Sequence, residues 1–247
     1  MSLLYLLLSL TLLVTAIPAT PVETHTRQNA TVSASAVPFG AVIDRCTVPG
    51  TVALTFDDGP YMFTPELLDI LSANRAPSTF FVNGGGLGGI HNYDEVVQRI
   101  WREGHQWNHI ALAGLDYASI VSQMTQLETA FVDIIGGFPV YMRPPYLFSD
   151  PVVLQAMTDL GYHVISASID TKDYENDAPD LVWRSLERFR AGLDAGGNIA
   201  LAHDVRQQTV AHFVQAMLDE VRARGLRPVT VGECLGDPRE EWYRTSR

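Results

Sequence analysis

The chain has 247 residues, 47% of them hydrophobic and 18% charged, enough apolar material for one sizeable core and within the usual length of one barrel domain. Its formal net charge is -11 and its only lysine is Lys172, which argues against nucleic acid or an anionic membrane as partner and suits a soluble acidic protein. A scaffold role is disfavoured too, because the body of the chain holds no repeat and no low-complexity tract.

In chain order, Leu3 to Ile17 is apolar but short for a membrane span, and small residues and prolines follow around Ala16 to Pro21. Residues 1–19 read as a secretory signal peptide, giving an extracellular or cell-wall location. The lack of Lys or Arg before the apolar run leaves an uncleaved anchor as the alternative. Residues 20–45 read as a flexible leader, rich in Thr, Ser, Ala and Val, with a glycosylation sequon at Asn29. The domain is predicted over 46–235 and a polar tail over 236–247. Cys46 and Cys234, the only cysteines, bracket the domain and predict a disulfide in an oxidising compartment, with two buried thiols as the alternative.

Thr51 to Phe56 is an apolar strand. Thr64-Pro65-Glu66 opens a helix, with Thr64 as N-cap, Pro65 at the first helical position, and Leu67, Leu68, Ile70 and Leu71 on the apolar face. Pro77 to Val82 reads as a strand, and Asn83 to Gly89 as a surface loop lacking the ending of a phosphate loop. Tyr93 to Glu103 is helical, and Asp116 caps a long helix through Ile120, Met124, Leu127, Phe131 and Ile135. Strands near Val140, at His163 to Ser168, Asn198 to Ala202 and Arg227 to Val231 alternate with helices at Pro151 to Leu160, Asp180 to Leu193 and Gln208 to Arg224. The alternation predicts an α/β fold, a β/α barrel or one of its relatives.

Chemistry concentrates where strands end. Asp57 and Asp58 follow the first apolar strand, and at the mouth of a sheet two carboxylates can converge on one cavity, one holding a metal while the other takes a proton from water. Asp-Asp-Gly-Pro also builds ordinary turns. Later strands end in Arg143-Pro144-Pro145-Tyr146, in Asp170-Thr171-Lys172-Asp173-Tyr174 and in Leu201-Ala202-His203, so an Arg, a second pair of Asp residues and a His can surround one point. The plainer readings are a loop anchor for Arg143, a surface turn for Asp173 and a satisfied core imidazole for His203.

With this ordered set, from Cys46 to Cys234, the sequence resembles the polysaccharide deacetylases, the NodB homology domain of carbohydrate esterase family four. Its paired cysteines and its Thr-Phe-Phe-Val-Asn-Gly strand are similar to the secreted fungal chitin deacetylases in that family. The resemblance implies a distorted (β/α) barrel as a single domain. It implies a hydrolase of carbon–nitrogen bonds in linear amides other than peptides, removing N-acetyl groups from chitin or its oligomers. An acetyl xylan O-esterase is the alternative within enzymes. By the same resemblance Asp57 is the general base, His203 the acid, Arg143 the residue that orients Asp57, and Asp173 the partner of His203. Tyr146 would offer its backbone N–H to the oxyanion, Leu201 would meet the acetyl methyl group, and Tyr174, in place of the family's Trp, would wall the sugar groove.

The family's divalent metal, Zn2+ or Co2+, is expected on Asp58 and two histidines spaced H-x-x-x-H, leaving an open position for water as catalytic zinc requires. His105-Gln106-Trp107-Asn108-His109 has that spacing, and were it helical both imidazoles would face one ion. Leu112, Leu115 and Asp116 then fall where the family places leucines and the cap of its next helix, which favours His109 as the second ligand. Several residues of the family's pattern are nevertheless missing just upstream, so Gly104-His105 runs almost directly into Trp107. Either His105 serves as the first ligand, or His109 is the first and Ala113 replaces the second, or His105 is a helix C-terminal residue facing the dipole. A relative that kept the groove but lost the metal motif would be a carbohydrate-binding protein. The expectation is a monomer acting on acetylated polysaccharide, without nucleic acid, and without a membrane once the signal is cleaved.

Overall fold

The structure, a computed structural model, describes residues 37–85, 89–110 and 115–247; the expected signal peptide, the leader up to residue 36 with Asn29, and also Leu112 and Ala113 lie outside the described residues. The strands are β1 (Val42–Ile43), β2 (Thr51–Asp57), β3 (Thr79–Val82), β4 (Gln106–Ile110), β5 (Phe138–Pro139), β6 (Tyr141–Arg143), β7 (His163–Ile165), β8 (Ile169–Asp170), β9 (Ile199–His203), β10 (Arg227–Val229) and β11 (Tyr243–Arg244). The helices are α1 (Thr64–Asn74), α2 (Asp94–Arg102), α3 (Tyr117–Ile135), α4 (Pro151–Leu160), α5 (Val182–Asp194), α6 (Val214–Ala223) and α7 (Val231–Leu235).

Among the described residues one sheet runs β1-β7-β6-β4-β3-β2-β9-β8, with β10 also paired to β2, and every pairing in it is parallel. No pairing joins β8 to β1, so the curled sheet is an open, distorted α/β barrel. Helices cover its outer face. The central strand β2 is buried at every position, as a parallel strand covered on both sides must be. Side chains alternate along each strand. Ala53, Phe81, Tyr141 and Ile165 pack in an inner cluster, whereas Leu54, Phe56, Phe80, Val82 and Trp107 pack outward with side chains of α1, α2, α5 and α6. Each fully buried Leu or Phe contributes about 1.5–3 kcal/mol to that packing.

Local chemistry accounts for the helix ends. Asp116 caps α3, its carboxylate accepting from the Ser119 N–H at 2.8 Å, and Asp150 caps α4, accepting from the N–H groups of Val152 and Val153. At α1 the expected cap does not form. Phe63 holds the N-cap position without a side-chain bond, and the Thr64 hydroxyl instead accepts from the Tyr61 N–H and donates to Asp204. After α2, Gly104 adopts φ +85 and turns the chain back into the sheet as β4, between β3 and β6.

The folded body extends past the predicted limits of 46–235. Val42 and Ile43 pair with β7, Trp242 is buried, and Tyr243 and Arg244 pair antiparallel with β5. Cys46 and Cys234 form the expected disulfide across a sequence separation of 188 residues, tying the segment before β2 to α7. Replacing both cysteines by Ser is expected to lower unfolding free energy in urea by about 2–5 kcal/mol, the usual worth of a disulfide closing a long loop. An unchanged midpoint would contradict this.

Candidate active site

Strand alternation turns Thr55 and Asp57 to the inner face at the end of β2, and the β2–β9 register sets Asp57 beside His203. Arg143, at the end of β6, is 1% exposed, so its charge needs partners within reach. Its Nη1 donates to Asp57 Oδ1 at 2.6 Å and to Thr55 Oγ1 at 2.7 Å, while Nε and Nη2 donate to the carbonyls of Ile165 and Ser166. The guanidinium lies over the Phe81 ring, 4.0 Å from its centroid. Burial pushes the Asp57 carboxyl up to about 6, although the charges of Arg143 and His203 pull the other way.

His203 and Asp173 form the second pair. The imidazole Nδ1 lies 2.7 Å from Asp173 Oδ1, and Asp173 Oδ2 accepts from the His203 N–H and from Thr209 Oγ1. Burial alone would lower the imidazole, but the hydrogen bond and charge of Asp173, with Asp57 and Asp58 adding, push it up to about 9. The Tyr174 ring stands edge-on to the imidazole, 5.3 Å between centroids.

Both pairs open into a groove of about 610 Å³, lined also by Asp58, Pro145, Tyr146, Leu201, Tyr174 and Arg206. Tyr146, with φ +56 after two prolines, is 99% exposed at its rim. Leu201 adds apolar surface to the wall, on the inner face beside Thr55. Thus Asp57, Asp58, Arg143, Asp173, His203, Tyr146, Leu201 and Tyr174 are brought to one end of the barrel. An ionisable carboxylate facing an imidazole held protonated can take one proton and give another.

The two motif histidines are not brought there. The expectation of a helical turn fails because the segment is β4, where successive residues rise about 3.3 Å and four span about 13 Å. His109 is in register with Val82 and Met142 and shares their outward side. It is fully buried, with ring centroids 5.1 Å from Phe131 and 5.2 Å from Tyr162 and its Nε2 3.3 Å from the Tyr162 hydroxyl. His105 precedes the strand, buried against Phe80, with Nδ1 accepting from the Ser78 N–H at 3.0 Å. Burial pushes both imidazoles down, to about 4 for His105 and about 3 for His109.

Asp58 lies on the other face, its Oδ1 accepting from Asn83 Nδ2 at 3.0 Å. No group of three His, Cys, Asp or Glu among the described residues is placed to hold a metal ion. The position of β4 that does face the interior beside Phe81 is Asn108, and neither of its amide atoms has a partner among the described residues. The donors therefore do not fit the three-ligand metal that the resemblance implies.

Sequence reading missed three supporting groups. Thr55 was legible, since it stands two residues before Asp57 on the same face. Asn83 and Thr209 reach the site through register and loop packing and carry no local signal.

Comparison with known proteins finds relatives in both sequence and fold. The family model for polysaccharide deacetylase matches residues 44–165. A probable peptidoglycan-N-acetylglucosamine deacetylase of Arthroderma benhamiae is 56% identical over 85% of this chain and 49% of that protein, so the chain spans about half the length of this relative. A chitin deacetylase of Pestalotiopsis sp is 51% identical over 85% of this chain and 72% of that protein. The chitin deacetylase structure from Colletotrichum lindemuthianum superposes with a TM-score of 0.82 at 44% identity, covering 85% of this chain and 98% of that one.

Because its folded pKa is raised, His203 contributes stability that is fully present below the ordinary 6.5 and lost as pH rises through about 9. Asp173→Asn is expected to bring the His203 midpoint, followed by NMR of the imidazole signals, down toward or below 6.5. A midpoint that stays near 9 would show that Asp173 does not hold the imidazolium.

Proposed function

Since the chain belongs to the polysaccharide deacetylase family, we propose that its groove binds chitin or chitooligosaccharides and that the protein hydrolyses their N-acetyl groups. The observation that carries this reading is the pair of supported groups facing each other at the groove floor: Asp57 under Arg143, and His203 under Asp173. Water attacks the acetamide carbonyl carbon while Asp57 accepts its proton, forming a tetrahedral oxyanion. The backbone N–H of Tyr146 is the proposed donor to that oxyanion. His203 then protonates the nitrogen as the carbon–nitrogen bond breaks, and acetate and a free amine leave. Arg143 keeps Asp57 aimed, Leu201 receives the acetyl methyl, and Tyr146 and Tyr174 offer aromatic surface to the sugar rings.

A divalent ion, zinc or cobalt by resemblance, would act as Lewis acid in such chemistry. The donors of Asp58, His105 and His109 do not converge on one. That placement favours a second reading from another class: a carbohydrate-binding relative that holds glycan in the same groove without cleaving it. The Cys46–Cys234 disulfide supports the further proposal that the protein acts outside the cell or in the wall.

The test is binding and acetate release measured together on chitin oligomers, with and without chelator. The hydrolase reading expects release that Asp57→Asn and His203→Ala each lower by about 10²–10⁴-fold. Oligomer binding without release by the wild type would leave the carbohydrate-binding reading in its place. No binding at all would overturn both.

A further inference from the structure

Asp204 is a fully buried carboxylate to which the mechanism gives no task. It follows His203 at the end of β9 and lies beneath the turn that follows β2. Its Oδ2 accepts from Thr64 Oγ1 at 2.6 Å, and the same hydroxyl accepts from the Tyr61 N–H at 2.8 Å. A Cβ on Gly59 would stand only 2.0, 2.4 and 2.5 Å from Oδ2, Oδ1 and Cγ of Asp204. The carboxylate therefore occupies the space that only a glycine leaves open, directly after Asp57 and Asp58. From the other side the turn is held by the Asp58 N–H donating to the Phe81 carbonyl at 3.1 Å and by Asn83. Asp58 itself sits at φ +73, a conformation its surroundings must impose on a residue with a Cβ.

We propose that Asp204 is a positioning residue for the Asp57–Asp58 turn: seated against Gly59 and bonded to the first residue of α1, it sets where the two carboxylates project into the groove. The importance of that projection rests on the function proposed above. The anchor itself does not.

The experiment is hydrogen–deuterium exchange of the full chain together with calorimetric binding of a chitin oligomer. The variants are Asp204→Ala, Asp204→Asn, Thr64→Val, Gly59→Ala, and Gly59→Ala combined with Asp204→Ala. Asp204→Ala, which loses the buried Thr64–Asp204 hydrogen bond, is expected to speed exchange at residues 58–64 by about tenfold and to weaken oligomer binding by a similar factor, and Thr64→Val, which also loses the bond from the Tyr61 N–H, by at least as much. Amides of α3 and α4 should not change. Asp204→Asn keeps an acceptor for Thr64 and should restore wild-type exchange. Gly59→Ala alone should disturb the turn, and less so when Asp204 is also alanine, because its Cβ then has room. The proposal is overturned by wild-type exchange at 58–64 in Asp204→Ala, by acceleration spread evenly over the molecule, or by an Asp204→Asn variant that behaves like alanine. If the wild type binds no oligomer, the function proposed above falls, and the exchange pattern still decides the role of Asp204.

Discussion

A guanidinium sealed inside the sheet is the constraint on which the rest of this molecule depends. Removing an ion of that size from water costs several kcal/mol, which its contacts must offset. Arg143 meets that requirement with one carboxylate, one hydroxyl and two backbone carbonyls, and with the face of Phe81 beneath it. Those partners come from β2, β3, β7 and the residue after β7, and Arg143 itself ends β6, so satisfying one side chain fixes the relative heights of four strand ends. Asp57 is then not free to rotate. Its carboxylate is aimed by an ion pair that would be strongly destabilising to break from either side.

The second pair repeats the logic at the opposite edge of β2. Asp173 spends both oxygens on the backbone, the ring of His203 and Thr209, so the imidazole has one orientation and a favoured charged form. Two titratable groups, one pushed up to about 6 and the other up to about 9, face a groove whose wall includes proline, tyrosine and leucine side chains. A carboxyl that still ionises, beside an imidazole held protonated to higher pH, gives the site one group ready to accept a proton and another ready to donate. The same division explains why the groove, not the acidic outer surface, is where chemistry is expected.

Much of this was legible in the sequence, for identifiable reasons. The long helix after Asp116 and the helix at Pro151 to Leu160 carry their own caps and their own apolar spacing, and the structure has both. Strand-end placement brought Asp57, Arg143, Asp173 and His203 to one mouth because parallel strands deliver their C-terminal residues to the same side. What was not legible is non-local. β8 is two residues long and is defined by its pairing with β9, and the hydroxyl of Thr64, read as a cap, is turned by a carboxylate that lies 140 residues away. The histidine spacing misled because H-x-x-x-H means one turn on a helix and about 13 Å on a strand. Only the pairing of β4 with β3 and β6 decides between them.

That pairing makes β4 the point where this chain parts from the pattern it otherwise follows. With His105 against Phe80 and His109 between Phe131 and Tyr162, both imidazoles belong to the packing of the outer layer, and Asn108 occupies the interior position beside Phe81. The most direct test is an NMR titration of the folded protein with zinc, following the imidazole signals of His105 and His109 separately. The account predicts that neither signal moves while the fold persists. Both signals shifting together, saturating at one ion per chain, would show that the two histidines share a metal and would contradict the assignment of β4.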